Sequence, residues 1–287
     1  MPASETTQRV AVAAVGIPLA LAAVYAGRWV LGALLTLIAV IAALEFGRMA
    51  ARKEGHPIRL IVAGGAAGFV LLATLFPAGG AAGAGFAGWT ALLVLVAATA
   101  AIWTRGVTGQ PLLAISTTVF GALYTGGLLA YGLFLRHLPG SHGPWHGTAL
   151  LFAPVLLTWV SDTSAYFAGR QWGRRKLIPK VSPGKTVEGS LGALVGCVLA
   201  AAAYATLLSR FPSYRISLPE AIGFGLLISV AAQIGDLAES LLKRDAGFKD
   251  SGALLPGHGG ALDRFDSLLF TLPIAYVFFR YLVGSGA

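Results

Sequence analysis

The chain has 287 residues, of which 56% are hydrophobic and only 11% are charged, and its formal net charge is +9. Soluble domains carry about 25% charged residues, so this composition excludes an ordinary soluble protein. Apolar runs of about 17–25 residues recur along the chain and indicate helices that cross a bilayer, whereas the short alternating segments of a membrane β-barrel are not visible.

In chain order, the apolar runs predict about nine spans, near residues 10–27, 29–47, 60–76, 86–104, 112–135, 148–169, 191–208, 221–242 and 265–284. The N-terminal MPASETTQRV lacks the basic start and small-residue cleavage site of a signal peptide, so we expect the first span to be retained. The predicted fold is therefore all-α, a polytopic integral membrane protein. We divide it into five N-terminal spans in residues 1–147 and a region of residues 148–287 that carries two long polar loops.

The basic residues predict the orientation of these spans. Of the 21 Lys and Arg residues, sixteen fall on the side of the N-terminus and five on the opposite side. By the positive-inside rule, the N-terminus and both charge-rich loops lie in the cytoplasm, and a prokaryotic plasma membrane suits this arrangement. The positive charge of a membrane protein favours phosphate-bearing molecules and anionic lipid as partners, so we expect no nucleic acid.

The first charge-rich loop, GRQWGRRKLIPKVSPGKTVEGS, follows span six and holds six bases. We predict that its Ser-Pro-Gly-Lys-Thr segment is a turn that brings Ser182, Lys185 and Thr186 to the start of span seven. A helix N-terminus with a lysine and hydroxyl groups is a suitable phosphate site. The string is not a P-loop, because Pro179 stands where that motif needs glycine.

Acidic residues concentrate around the second loop. Only twelve exist in the chain, and six of them lie between Asp236 and Asp266. Asp236 and Glu239, near the end of span eight, share one helical face, and Asp263 and Asp266 repeat the same spacing at the start of span nine. Carboxylates at membrane depth are costly unless paired or metal-bound, so these four favour Mg²⁺ together with substrate phosphate, against the alternative of salt bridges to Arg244 or Arg264.

Three other polar or reactive residues have simpler interpretations. Asp162, near the inner end of span six, is the next acid expected to face the metal site. Glu45, near the inner end of span two, is predicted to form a structural pair with Arg48. Cys197, the single cysteine, is predicted to be a small buried apolar residue.

Acids that hold a metal, bases that hold phosphates and apolar helices beside them together suit phosphoryl or nucleotidyl transfer onto a lipid at the cytoplasmic face. The stretch SLLKRDAGFKDSGALLPGHGGALDRFD, residues 240–266, carries every fixed residue of a signature S-x-apolar-K-R-x₄-K-D-x-small-x₂-apolar-P-x-H-G-G-apolar-x-D-R-apolar-D. The chain therefore resembles the CDP-diacylglycerol synthases, or phosphatidate cytidylyltransferases. SDTSAYFAGR, SPGKTVEG and GDLAES also match in family order, and only Ala193 and Ala261 depart, at packing positions.

The resemblance implies that residues 148–287 are catalytic and that CTP and phosphatidic acid react to CDP-diacylglycerol and pyrophosphate, with Mg²⁺ required and K⁺ as an alternative occupant of one site. It also implies a homodimer. The residues implied in catalysis are Asp236, Asp263, Lys243 and Arg264, and the metal ligands are Asp236, Asp263, Asp266 and Glu239. Those implied in substrate binding are Asp162, Lys176, Ser182, Lys185, Thr186, Glu188, Arg244, Lys249, Asp250 and His258.

Two rival functions stay open at this point. An ion-coupled transporter also keeps carboxylates in its helices, but it places them near the bilayer midplane and often within repeated halves, and no repeat is visible here. A phosphotransferase that consumes CDP-activated lipid would carry a DGxxAR…GxxxDxxxD spacing, which the sequence lacks.

Overall fold

The computed structural model describes residue 16 and residues 18–78, 82–141, 143–210, 216–252 and 259–283. After a helical stretch at residues 18–26, the helices are α1 (Arg28–Ala51), α2 (Arg59–Leu75), α3 (Ala82–Thr104), α4 (Pro111–Ala122), α5 (Tyr131–Arg136), α6 (Gly143–Trp172), α7 (Val187–Leu208), α8 (Leu218–Asp245) and α9 (Leu262–Val277). Short π-helical segments, Leu123–Gly127 and Phe278–Val283, follow α4 and α9.

Seven helical stretches within the described residues are long and apolar enough to cross a membrane, and Arg59–Leu75 is a shorter apolar helix. These eight elements coincide with predicted spans two to nine. Of the first predicted span, residues 10–27, residues 10–15 and 17 lie outside the described residues, so the total of nine stays a prediction. Large apolar side chains such as Leu95, Trp103 and Leu199 are exposed on the outer faces of their helices, as expected of surfaces that face lipid. The predicted all-α polytopic fold is confirmed.

The first charge-rich loop corrects one local prediction. Ser182–Thr186 is not a turn but a strand, β2, which pairs antiparallel with β1 (Lys176–Ile178). The connection is made by residues 179–181, where the fixed φ of Pro179 suits a turn. Pro183 is tolerated because β2 has a neighbour on one side only in this two-stranded sheet. The loop is therefore a hairpin whose second strand runs directly into α7.

The chain divides into two compact units. Unit one comprises residues up to 137 and residues 242–265, and unit two comprises residues 138–241 and 266–287. In unit one α1 packs along α2, and in unit two α6 packs along α7. Small residues allow these close contacts: a Cβ on Gly192 of α7 would come within 2.3 Å of the Ala168 side chain of α6. The predicted division into residues 1–147 and a catalytic region 148–287 concerns function and stays a prediction.

Candidate active site

The hairpin of unit two is fixed to the start of α7 by side chains that bind backbone. The Thr186 hydroxyl accepts a hydrogen bond of 3.1 Å from Gly189 N and caps the helix. The Glu188 carboxylate accepts from the backbone N–H groups of Arg174 and Arg175 at 3.0 and 3.2 Å. Glu188, predicted to bind substrate, therefore ties the loop to the first turn of α7, and Lys185 stands next to the last residue of β2.

Helix α6 contributes a polar face to the same unit. Asp162, Tyr166 and Arg170 recur every four residues, which places them on one side of the helix. Arg170 Nη1 donates a hydrogen bond of 3.1 Å to the Tyr166 hydroxyl. Of these three side chains, the sequence had singled out only Asp162.

Helix α8 supplies Gln233 and Asp236, three residues apart. Together with α6, the hairpin and the start of α7, they line a cavity of about 520 Å³, a volume typical of small-molecule sites. We call it the Lys185–Asp236 cavity; its lining residues are Asp162, Ala165, Tyr166, Gly169, Arg170, Leu177, Gly184, Lys185, Thr186, Gly189, Ser190, Gln233 and Asp236. The cavity thus unites Asp162, Lys185, Thr186 and Asp236 of the predicted site.

An ion pair stands in this cavity. Lys185 Nζ lies 2.5 Å from Asp236 Oδ2, and the side chains keep 25% and 32% of their exposure. The other Asp236 oxygen, Oδ1, accepts a hydrogen bond of 3.3 Å from Ser240 Oγ. Because both charged groups remain open to the cavity, each can exchange this partner for a ligand of opposite charge.

A chain of polar side chains orients the floor of the cavity. Ser190 Oγ donates to Gln233 Oε1, and Gln233 Nε2 donates to Ser229 Oγ at 3.2 Å. Ser229 Oγ in turn lies 3.5 Å from Ser161 Oγ, and both serines are buried. These contacts fix which end of the Gln233 amide faces which neighbour. Sequence reasoning missed Gln233, although a glutamine three residues before Asp236 in an apolar helix is a detectable signal.

A second group of carboxylates lies in unit one. Asp263 Oδ1 accepts from Lys243 Nζ at 2.7 Å, while Oδ2 accepts from Ser251 N, Ser251 Oγ and Gly260 N at 2.9, 2.9 and 2.8 Å. The Lys243 and Asp263 side chains keep only 13% and 11% of their exposure. The carboxylate therefore fixes the backbone on both sides of the signature loop while one oxygen carries a cation.

Glu45 of α1 belongs to the same group. Its side chain is fully buried, and it accepts from Ala261 N at 3.1 Å and from Leu262 N and Ser251 Oγ at 2.8 and 3.2 Å. The predicted pair with Arg48 exists at 3.9 Å, but Arg48 is 55% exposed. We call Glu45, Lys243, Ser251, Gly260–Leu262 and Asp263 the Glu45–Asp263 network.

The remaining predicted site residues have separate surroundings. Lys176 is exposed on β1 opposite Thr186, and Ser182 pairs with Ile178. Glu239 is fully buried in α8, and Asp266 accepts from Ser267 N at 2.6 Å. Arg244, Lys249, Asp250 and Arg264 are exposed. His258 lies outside the described residues.

Among the residues that the structure describes, no three His, Cys, Asp or Glu side chains form a group that could hold a metal ion. The donor set of the Lys185–Asp236 cavity nevertheless fits Mg²⁺, because this ion takes one or two carboxylates and completes its shell with water and substrate phosphate. Asp162 and Asp236 are the two carboxylates of that cavity. The prediction that Asp236, Glu239, Asp263 and Asp266 hold metal stays a prediction.

Residues 7–282 match the Cytidylyltransferase family. The chain is similar to the phosphatidate cytidylyltransferases of Haemophilus influenzae (38% identity over 68% of this chain and 66% of the relative), Bacillus subtilis (42% over 54% of each) and Synechocystis (34% over 95% of this chain and 96% of the relative). The first two matches span less than two thirds of those relatives, whereas the Synechocystis match spans nearly all of both chains. With a family match over almost its whole length, the chain belongs to the cytidylyltransferase family.

Proposed function

We propose that the chain is a phosphatidate cytidylyltransferase, an enzyme that transfers CMP from CTP to phosphatidic acid. A phosphate oxygen of phosphatidic acid bonds to the α-phosphorus of CTP, the bond from that phosphorus to the bridging oxygen breaks, and pyrophosphate leaves. CDP-diacylglycerol is the other product. The observation that carries the proposal is the Lys185–Asp236 pair in an open cavity of a membrane protein of this family.

The cavity residues have the charges that this reaction needs. Lys185 and Arg170 are cations that can bind phosphate oxygens, Lys185 as a point charge and Arg170 through its planar fork of donors. Arg170 already has its direction set by Tyr166. The attacking phosphate oxygen is anionic at neutral pH, so no side chain has to remove a proton from it. We therefore assign these residues to binding, alignment and neutralisation of charge.

We further propose that Asp236 and Asp162 offer carboxylate oxygens to Mg²⁺, with K⁺ as an alternative occupant. The ion, when bound, neutralises phosphate charge and polarises the bond to the leaving group. The Lys185 ammonium pairs with one Asp236 oxygen. A triphosphate draws that ammonium towards its own oxygens and leaves the carboxylate open, which couples substrate binding to the release of Asp236.

The setting of the enzyme is part of the proposal. The excess of Lys and Arg in alternate loops supports a prokaryotic plasma membrane, with the N-terminus and both charge-rich loops in the cytoplasm where CTP is found. The resemblance supports a homodimer, and the partners are CTP, phosphatidic acid and membrane lipid. The assignments of Lys176, Ser182, Lys243, Arg244, Lys249, Asp250, His258 and Arg264 to catalysis or substrate contacts remain predictions of the resemblance.

Purified protein in detergent–lipid micelles, supplied with CTP labelled at its α-phosphorus, phosphatidic acid and Mg²⁺, tests the function. We expect the label to appear in the liponucleotide, together with an equal amount of unlabelled pyrophosphate. A protein that instead consumes added CDP-diacylglycerol with an alcohol would be a phosphotransferase. Solute flux into sealed vesicles without lipid turnover would indicate the transporter, to which the matched family gives no support.

A further inference from the structure

Glu45 is the only residue of the Glu45–Asp263 network, as defined above, that lies far from the other members in sequence. It stands near the C-terminal end of α1, and its hydrogen-bond partners are 206 to 217 residues away. Its side chain is fully buried. A buried carboxylate is costly unless it is saturated with hydrogen bonds, so its position calls for a specific role.

Two partners of Glu45 are backbone N–H groups at the N-terminus of α9. Ala261 N and Leu262 N point at its two oxygens from the start of that helix, where unsatisfied N–H groups and the helix dipole favour a negative charge. Asp263, whose own carboxylate binds Lys243, is the next residue. The Glu45 carboxylate therefore fixes the backbone immediately before Asp263, and this backbone sets the direction of the Asp263 side chain.

Ser251 joins the two carboxylates directly. Its Oγ lies 3.2 Å from Glu45 Oε2 and 2.9 Å from Asp263 Oδ2. A serine hydroxyl has one proton and can donate it to one acceptor at a time. The position of each carboxylate thus affects the hydrogen bond that the other receives.

Two glycines leave room for this arrangement. A Cβ on Gly252 would lie 2.3 Å from Glu45 Oε1, and a Cβ on Gly260 would lie 2.5 Å from Glu45 Oε2. Both distances are far below a van der Waals contact. These glycines belong to the signature stretch, and their lack of a side chain is explained by the carboxylate that reaches in from α1.

We propose that Glu45 is a positioning residue: its carboxylate holds the start of α9 and, through Ser251, the orientation of Asp263. Under the proposed function, on which this inference depends, Glu45 acts on lipid nucleotide synthesis without touching substrate. Arg48 is not needed for this role, because it is exposed and stands 3.9 Å from the carboxylate.

The test compares Glu45→Gln, Glu45→Asp and Arg48→Ala with wild type in two measurements. The first is liponucleotide synthesis from CTP and phosphatidic acid, and the second is backbone amide exchange at Ala261 and Leu262, which needs no substrate. Glutamine keeps the size but turns an N–H₂ group towards backbone donors. We expect turnover at least tenfold lower and faster exchange at both amides. Glu45→Asp, which keeps the charge on a shorter side chain, should regain part of both, and Arg48→Ala should match wild type.

Gly252→Ala keeps the carboxylate but displaces it, so it serves as the second variant if Glu45→Gln does not fold. It should show the same two effects, lower turnover and faster amide exchange at Ala261 and Leu262. Wild-type turnover and exchange in Glu45→Gln or in Gly252→Ala would overturn the inference, and so would an Arg48→Ala variant as impaired as Glu45→Gln. An inactive wild type would instead count against the proposed function, and the exchange data would then decide the role of Glu45 alone.

Discussion

Asp236 and Asp263 each pair with a lysine ammonium, but their surroundings differ. Asp236 lines an open cavity, keeps 32% of its exposure and receives one further, long hydrogen bond. Asp263 keeps 11% and receives three more hydrogen bonds, two of them from backbone N–H groups. The first carboxylate can change partners at small cost, whereas the second is part of the framework of its unit.

The comparison shows why a count of acids does not by itself assign their roles. Carboxylates in both regions stand out in the sequence because charges are scarce in an apolar chain. The hydrogen bonds of each carboxylate distinguish the two roles: Asp236 can exchange its partner for a ligand, whereas Asp263 orders the backbone. A residue of the second kind can still act on substrate, but its replacement then affects folding and activity together.

Asp263→Asn is expected to have the largest effect. The amide cannot accept all four hydrogen bonds, and it leaves the Lys243 ammonium largely buried without its counter-ion. Breaking such a pair costs about 3 kcal/mol. We expect turnover to be lost and the thermal midpoint in detergent to fall clearly, measured by liponucleotide synthesis and by a thermal-shift assay. Wild-type activity in this variant would refute any role of Asp263 in the reaction.

Asp236→Asn sharpens the contrast, because it should impair activity alone. Loss of this charge removes electrostatic stabilisation worth about 10²–10³-fold in turnover. Lys185 stays solvated in the cavity, so the thermal midpoint should stay close to that of wild type. A fall in the midpoint as large as that of Asp263→Asn would break the distinction between the two carboxylates.

Lys185→Ala is expected to have a smaller effect, on substrate affinity. Removal of one phosphate-binding cation should raise the KM for CTP or for phosphatidic acid about tenfold, equivalent to ~1.4 kcal/mol. Lys185→Arg keeps the charge and should retain most of the affinity. Steady-state kinetics with each substrate varied in turn measure both. Unchanged KM values for both substrates would remove Lys185 from the binding site.

The spans and part of the cavity could be predicted from the sequence because membrane insertion constrains it strongly. The bilayer sets the length of apolar runs, and it leaves few positions for charge, so Asp162, Lys185 and Asp236 stood out. The Ser-Pro-Gly-Lys-Thr segment was wrong as a turn, because proline and glycine also occur in a short edge strand whose turn lies three residues earlier.

Glu45 shows what local reasoning could not find. Its nearest charged neighbour in sequence is Arg48, and a pair three residues apart on a helix is the natural interpretation. The stronger partners, Ala261 and Leu262, are backbone groups more than 200 residues away. Almost every residue has a backbone N–H group, so the amino-acid sequence does not indicate which of them binds a distant carboxylate. Only the fold of unit one reveals that this carboxylate is a helix cap.

The smallest predicted effect concerns His137, a side chain of unit one that, like Glu45 and Asp263, forms hydrogen bonds with the backbone. His137 Nε2 lies 3.2 Å from Arg28 N and accepts its hydrogen bond, while Nδ1 stands 3.1 Å from Leu133 O. This arrangement needs a neutral ring with its proton on Nδ1. Burial of the ring and the nearby guanidinium groups of Arg136 and Arg28 lower the pKa of His137 from its ordinary 6.5, against the opposing effect of Leu133 O.

Because the folded chain resists protonation of His137 and the unfolded chain does not, the stabilisation is complete above pH 6.5 and is lost as the pH falls towards the lowered pKa. Between pH 7.5 and pH 5, the thermal midpoint of wild type should therefore fall ~2 °C further than that of His137→Gln, whose side chain does not titrate. Parallel pH curves for the two proteins would show that His137 is protonated equally in both states. His137 would then make no contribution to the pH dependence of the stability of unit one.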